Sequence, residues 1–144
     1  MESDEFHDKI ILLLTNDRWL EETLNLFLAS REACVDTIWD GGLLDGVICS
    51  DKHAARIGDK MIEAIKSSRG SVVIIFSDMI NTEILFAPLF RLGPENGLRV
   101  NAIVRRSDNK FDERLAEIVA FLLSPASHAF NGEVLEVGDQ TWLY

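Results

Sequence analysis

Apolar residues in this chain fall into short continuous runs, separated by stretches in which they recur at helical spacing. KIILLL (residues 9–14) is such a run and predicts a strand covered on both faces, central in its sheet. Asp17 is placed to cap a helix over 18–30, where Leu20, Leu24, Phe27 and Leu28 share a face, and Trp19 and Leu26 widen that stripe beyond a minimal core face. After ACVDTIW and the loop DGGL, LDGVIC (44–49) predicts a second strand. SDKHAARIGDKMIEAIKSSRG then reads as one helix begun by Ser50 or Asp51 and stopped by Gly70. Ala54, Ile57, Met61, Ile62 and Ile65 form its inner face; Lys52, Arg56, Lys60, Glu63 and Lys66 form its solvated one. SVVIIF (71–76) is the third apolar strand, and residues 80–92 predict a short helix interrupted or kinked near Pro88. Ile84, Leu85, Phe86, Leu89, Phe90 and Leu92 cannot all face one sheet, so part of that surface is expected to meet another chain or a covering segment. LRVNAIV follows as a strand, and Asp108 or Asn109 opens a helix through Leu123 with Phe111, Leu115, Ile118, Val119 and Leu122 inward. EVLEV (133–137) closes the series.

Strands alternating with helices predict a parallel sheet covered on both faces, because parallel neighbours need crossovers and right-handed crossovers carry helices onto the sheet. One stretch resists that scheme. A parallel crossover normally takes a dozen or more residues, yet ACVDTIW and LDGVIC are separated by about four. They are therefore not expected to be consecutive parallel strands, and a loop or a short antiparallel edge piece over 33–39 is favoured. Five parallel strands are predicted, with room for a sixth at one edge.

Composition narrows the class of protein. The 144 residues, 47% hydrophobic and 26% charged, suffice for one ordinary core and predict a single domain, with residues 1–8 expected to be flexible. A formal charge of -10, from 14 Lys and Arg against 24 Asp and Glu, argues against nucleic acid as a partner. The acidic start MESDEFHDK is unlike a secretory signal, and no apolar stretch approaches the ~18 residues of a membrane span. A soluble cytoplasmic protein with no membrane partner is expected. Cys34 and Cys49 lie near predicted strands without CxxC spacing and read as reduced packing residues. His7, His53 and His128 share no metal-ligand spacing, so no metal site is predicted. Neither a GxSxG elbow nor a GxxxxGK[ST] loop occurs. The one local cluster with chemical character is Ser50, Asp51 and His53, which helix capping explains.

EILFAPLFRLGPENGLRVNAIVRR followed by RLAEIVAFLLSPASHAFNGEVLEVG resembles the C-terminal third of the short-chain dehydrogenase/reductase (SDR) family, where a GxRVNxI strand leads to an AxxVAFLxSxxS-type helix and a final T/N-G-x-x-L-x-V-x-G strand. Upstream, LDGVICSD resembles the strand before the family's Asn-Asn-Ala-Gly turn, and SSRGSVVIIFSD resembles the next helix end and strand, which brings Ser77 to the position of the catalytic serine. The match is strong over 83–138 and loose over 9–50. It implies an α/β, Rossmann-like three-layer sandwich with a mostly parallel sheet of five or six strands, shortened relative to full SDR enzymes. On that comparison residues 33–39 have a second reading, as the end of a shortened first half lacking a strand and two helices.

Three departures from the family bear on function. SDR enzymes seat the cofactor pyrophosphate on a glycine-rich turn after the first strand, where the backbone must approach the phosphates closely. Here that turn reads Thr15, Asn16, Asp17, Arg18 and Trp19, and the first glycine is Gly41. The family's Tyr-x-x-x-Lys pair is missing, since the one tyrosine is Tyr144 and DMINTE joins Ser77 to Ile84, so Ser77 has no partner and reads as a strand-end or turn serine. The Asn-Asn-Ala-Gly turn is replaced by Cys49, Ser50, Asp51 and Lys52. No catalytic residue and no cofactor are predicted. Thr15, Asn16, Arg18 and Asp40 are the candidates for any residual cofactor contact; Asp40, near the family's ribose-binding acid, reads with Gly41 and Gly42 as a turn.

Two function classes follow. The first is a non-catalytic interaction or regulatory protein, a homodimer or a heteromer with a full-length SDR, because the family dimerises through the helices matching 53–69 and 80–92. Ile84, Leu85, Phe86, Leu89 and Phe90 are its interface candidates, and Trp142 and Tyr144 add an aromatic tail. The second is a small-molecule or nucleotide binder, or an oxidoreductase-related enzyme, using the cleft at the strand carboxyl ends. Thr15, Asn16, Ser50, Ser77, Arg105 and Arg106 would line it, although the two arginines read first as exposed loop residues.

Overall fold

A computed structural model describes residues 6–76, 90, 97–105 and 112–137. Among the described residues six strands form one all-parallel sheet: β1 (Ile10–Leu14), β2 (Cys34–Asp36), β3 (Gly46–Ser50), β4 (Ser71–Phe76), β5 (Arg99–Arg105) and β6 (Val134–Val137), in the order β2-β1-β3-β4-β5-β6. Helices α1 (Arg18–Ala29) and α3 (Asp112–Leu123) cover one face, and α2 (Asp59–Ser68) covers the other, which makes the Rossmann-like three-layer sandwich that the alternation predicts. Side chains alternate across the sheet: Ile11, Leu13, Val73 and Ile75 pack under α1 and α3, whereas Leu12, Leu14, Val72, Ile74 and Phe76 pack under α2. β4 is buried along its whole length, as expected of a parallel strand covered on both faces.

β2 corrects the expectation of a loop or an antiparallel edge. It runs parallel to β1, with Ile10 beside Cys34 and Leu12 beside Asp36, and the chain then crosses β1 to begin β3 with Gly46 beside Ile11. The usual crossover length does not apply, because a three-residue strand requires a return of only about one residue along the sheet axis. Residues 37–45 make that crossing without a helix, packing Trp39 and Leu44 on the α2 face. Asp45 fastens its end, since the backbone N–H of Asp45 donates to the Ile10 carbonyl and the Ile10 N–H donates to the Asp45 carboxylate, both at 2.8 Å.

The helix predicted from residue 50 to Gly70 is two elements. A 3-10 turn occupies Asp51–Arg56, the chain extends through Ile57 and Gly58, and α2 starts at Asp59. Gly58 interrupts the apolar stripe locally, so Ala54 and Ile62 reach the same core from separate elements. The stop is also divided between two residues. Arg69 takes the left-handed cap conformation at φ 57°, while Gly70 is required for space, because a Cβ there would lie 2.1 Å from the Asp45 carbonyl oxygen.

β5 shows what the RVN segment does. The Arg99 guanidinium donates to the carbonyls of Leu122, Ser124 and Ser127 at the end of α3, and buried Asn101 accepts from the Glu133 N–H while donating to the Phe130 carbonyl. Asn131 adds a bond from the Val100 N–H at 3.0 Å. Burial lowers the Arg99 pKa from its ordinary value, and the surrounding carbonyls compensate the desolvated charge. The residues that carry the family resemblance most strongly are thus a structural joint between α3 and β6.

Candidate functional site

The strand order reverses at β1, whose neighbours β2 and β3 lie on opposite sides, and open α/β sheets bind ligands above such a switch point. A cavity of about 400 Å³ lies there, lined by Thr15, Asn16 and Asp17 after β1, Ser50 at the end of β3 with Asp51, Lys52 and His53 after it, and Arg105 at the end of β5.

On its β1 side the cavity carries a built-in anion. Asp17 precedes α1 and accepts a hydrogen bond from the Leu20 N–H at 3.1 Å, as its position in the sequence predicts. Its other carboxylate oxygen accepts from Arg105 Nη1, also at 3.1 Å. Burial pushes the Asp17 carboxyl up, but the Leu20 N–H and the Arg105 guanidinium together outweigh burial and hold it below the usual carboxylate range. Trp19 flanks the pair, with the Arg105 guanidinium 5.9 Å from its ring centroid. The start of α1, where the helix dipole favours negative charge, therefore has a side-chain carboxylate in place.

Arg105 corrects the reading of an exposed loop arginine: it ends a strand and its side chain is 13% exposed. Eighty-eight positions separate it from Asp17, so nothing local marks the pair.

On its β3 side the cavity carries a hydrogen-bonded array. Ser50 does not cap the turn that follows it. Its Oγ lies 2.8 Å from His53 Nδ1, and His53 Nε2 lies 3.1 Å from Asn16 Oδ1. With Asn16 accepting at Nε2, the imidazole presents Nδ1 as the acceptor for the serine proton. Capping therefore does not account for this cluster. Its serine and histidine are three residues apart, but the third member is supplied by the β1 turn, 37 positions from His53.

The other candidates separate. Thr15 and Asn16 line the cavity, as expected. Arg18 points away and pairs with Glu22 at 3.8 Å, its side chain 90% exposed. Asp40 accepts from the Gly42 N–H at 2.8 Å, with Gly41 at φ 90°, which is the turn the sequence predicts. Ser77, Arg106 and four interface candidates, Ile84, Leu85, Phe86 and Leu89, lie outside the described residues, as do most of the helix over 80–92, the start of the last helix, Trp142 and Tyr144. Phe90 is partly buried in the α2-side core, and its ring occupies the space that a Cβ on Gly132 would need. Among the described residues no three His, Cys, Asp or Glu side chains converge as a metal site would require. Cys49 is a buried packing residue as read, whereas Cys34 is exposed on β2, which among the described residues has a strand partner on one side only. No helix among the described residues is long and apolar enough to cross a membrane.

No family model matches the sequence, and no curated protein matches it. The fold does have a solved counterpart. An enoyl-[acyl-carrier-protein] reductase (NADH) from Aquifex aeolicus VF5 superposes with a TM-score of 0.51 at 13% identity, over 96% of this chain and 99% of that chain. The chain thus has an SDR-like, Rossmann-type α/β fold.

Proposed function

We propose that this protein is a shortened, degenerate SDR relative that has given up NAD(P)-dependent hydride transfer and acts, without a cofactor, as an interaction or regulatory protein. The observation that carries this reading is the Asp17 carboxylate at the start of α1, accepting from Leu20 and Arg105. A pyrophosphate brought to that helix end would meet a fixed negative charge instead of free N–H donors on a glycine turn. The missing Tyr-x-x-x-Lys pair supports the same conclusion from the chemistry. Exposed apolar side chains support a role by contact: Ile38 and Leu43, in the crossing between β2 and β3, are 81% and 68% exposed, and Leu26 on α1 is 75% exposed. Ile84, Leu85, Phe86 and Leu89 extend the proposal to the family's dimerisation surface, with a second copy or a full-length SDR as partner. Calorimetric titration with NAD(H) and NADP(H), paired with sedimentation, tests it. Silence to the nucleotides and self-association or capture by a reductase are expected; heat of nucleotide binding, hydride exchange, or a monomer with no affinity for any reductase refutes it.

A second reading, in which the cleft takes a small molecule, is favoured by the Ser50–His53–Asn16 array at a cavity of about 400 Å³, a volume within the range of small-ligand sites.

A further inference from the structure

A nucleophilic hydroxyl requires a base within hydrogen-bond reach and a third group that holds the base in the right tautomer. Ser50, His53 and Asn16 satisfy both conditions at 2.8 Å and 3.1 Å, and all three line the cavity of about 400 Å³. Two further donors line the same cavity. The Thr15 oxygen accepts from the Asp17 N–H at 3.1 Å, which leaves its own proton to donate, and Lys52 makes no ion pair among the described residues. Leu20, Ile75 and Phe76 supply an apolar wall.

We infer that Ser50 is an activated nucleophile that accepts an acyl group from small activated carboxylic esters. The inference rests on the second reading above, that the cleft takes a small molecule. Ser50 Oγ attacks the ester carbonyl carbon as its proton passes to His53 Nδ1, and the resulting imidazolium keeps its Nε2–H on Asn16. Collapse of the tetrahedral adduct breaks the carbonyl–leaving-group bond, and the departing oxygen takes the proton back from Nδ1. The products are O-acyl-Ser50 and an alcohol; attack by water through the same base releases the acid and restores the serine. Lys52 and Thr15 are the donors available to the developing oxyanion. Asn16 acts as a positioning residue, through His53.

The test uses the full chain with a fluorophosphonate probe and with p-nitrophenyl butyrate. Stoichiometric labelling that peptide mass mapping assigns to Ser50 is expected. His53→Ala should slow labelling roughly 100-fold or more, as loss of a general base does, and added imidazole should restore part of the rate. Asn16→Leu should lower the rate without abolishing it and displace the pH profile, which loss of packing alone would not do. Labelling at another serine, no labelling of the folded protein, or equal labelling of His53→Ala overturns the inference; because the mapping is done on the natural chain, a variant that fails to fold does not protect it. Butyrate or ester that binds by calorimetry without labelling sinks the chemistry and keeps the small-molecule reading, whereas neither binding nor labelling sinks both.

Discussion

Removing the Asp17 carboxylate should loosen the corner of the fold that fills the start of α1. In Asp17→Ala the Leu20 N–H loses its cap acceptor, a change costing about 1 kcal/mol. The ion pair to Arg105 goes as well, and because the Asp17 side chain is 43% exposed, its contribution belongs in the screened range of about 0.2–1 kcal/mol. The sum, roughly 1–2 kcal/mol, corresponds to a fall in Tm of about 3–8 °C for a domain of this size. Asp17→Asn keeps an acceptor for Leu20 and should lose only the ion-pair part. Combined with Arg105→Gln in a double-mutant cycle, Asp17→Ala should show a coupling of about 0.5 kcal/mol that weakens in ~1 M salt. The pH dependence has a definite sign. A carboxyl held below its ordinary range in the folded state contributes stability that is present above about pH 4 and is lost as pH falls through its folded value, so Asp17→Asn should have a flatter acid limb. Denaturant melts at two salt concentrations and across pH 2–7 measure all of this. Natural stability in Asp17→Ala, or strict additivity with Arg105→Gln at low salt, would show that the carboxylate does not hold this corner and would remove the main support for an obstructed cofactor site.

Three other expectations test the scaffold. Asn101→Ala strips the Glu133 N–H and the Phe130 carbonyl of their partner at a fully buried position, and should cost about 2–4 kcal/mol in urea melts; a change under ~0.5 kcal/mol would contradict the joint described for β5. A thiol reagent at neutral pH should modify Cys34 rapidly and Cys49 only on unfolding, because burial, with a smaller contribution from Asp51, pushes the Cys49 thiol up to about 12. Since that raised value disfavours the thiolate in the folded state, stability due to Cys49 is complete below its ordinary pKa and declines as pH rises from about 9 toward 12; an alkaline limb unchanged in Cys49→Ala refutes this.

Local chemistry accounts for what could be read in advance. Continuous apolar runs mark β1, β4 and β5, because strands covered on both faces need no polar alternation, and the four-residue spacing of Leu20, Leu24 and Leu28 together with Asp17 marks α1 and its start. The turn at Asp40 and the bend after β1 were legible for the same reason, since each depends on residues within three positions of one another. In the RVN segment, Arg99 and Asn101 bind backbone groups after the last helix and before β6, so the residues that carry the resemblance are also ones that hold this joint together.

Only the folded chain decided the rest. Whether Cys34–Asp36 becomes a strand depends on the free edge of β1 and on how little distance the return must cover, neither of which is a property of those three residues. The break at Gly58 separates Ser50 and His53 from α2 and leaves the histidine in the cleft instead of on a helix face. Sheet order then brings Asn16 to His53 across 37 positions and Arg105 to Asp17 across 88. A single sequence sets spacing along the chain, but contact between distant side chains is set by strand order and register, and those follow from the joint burial of all six strands.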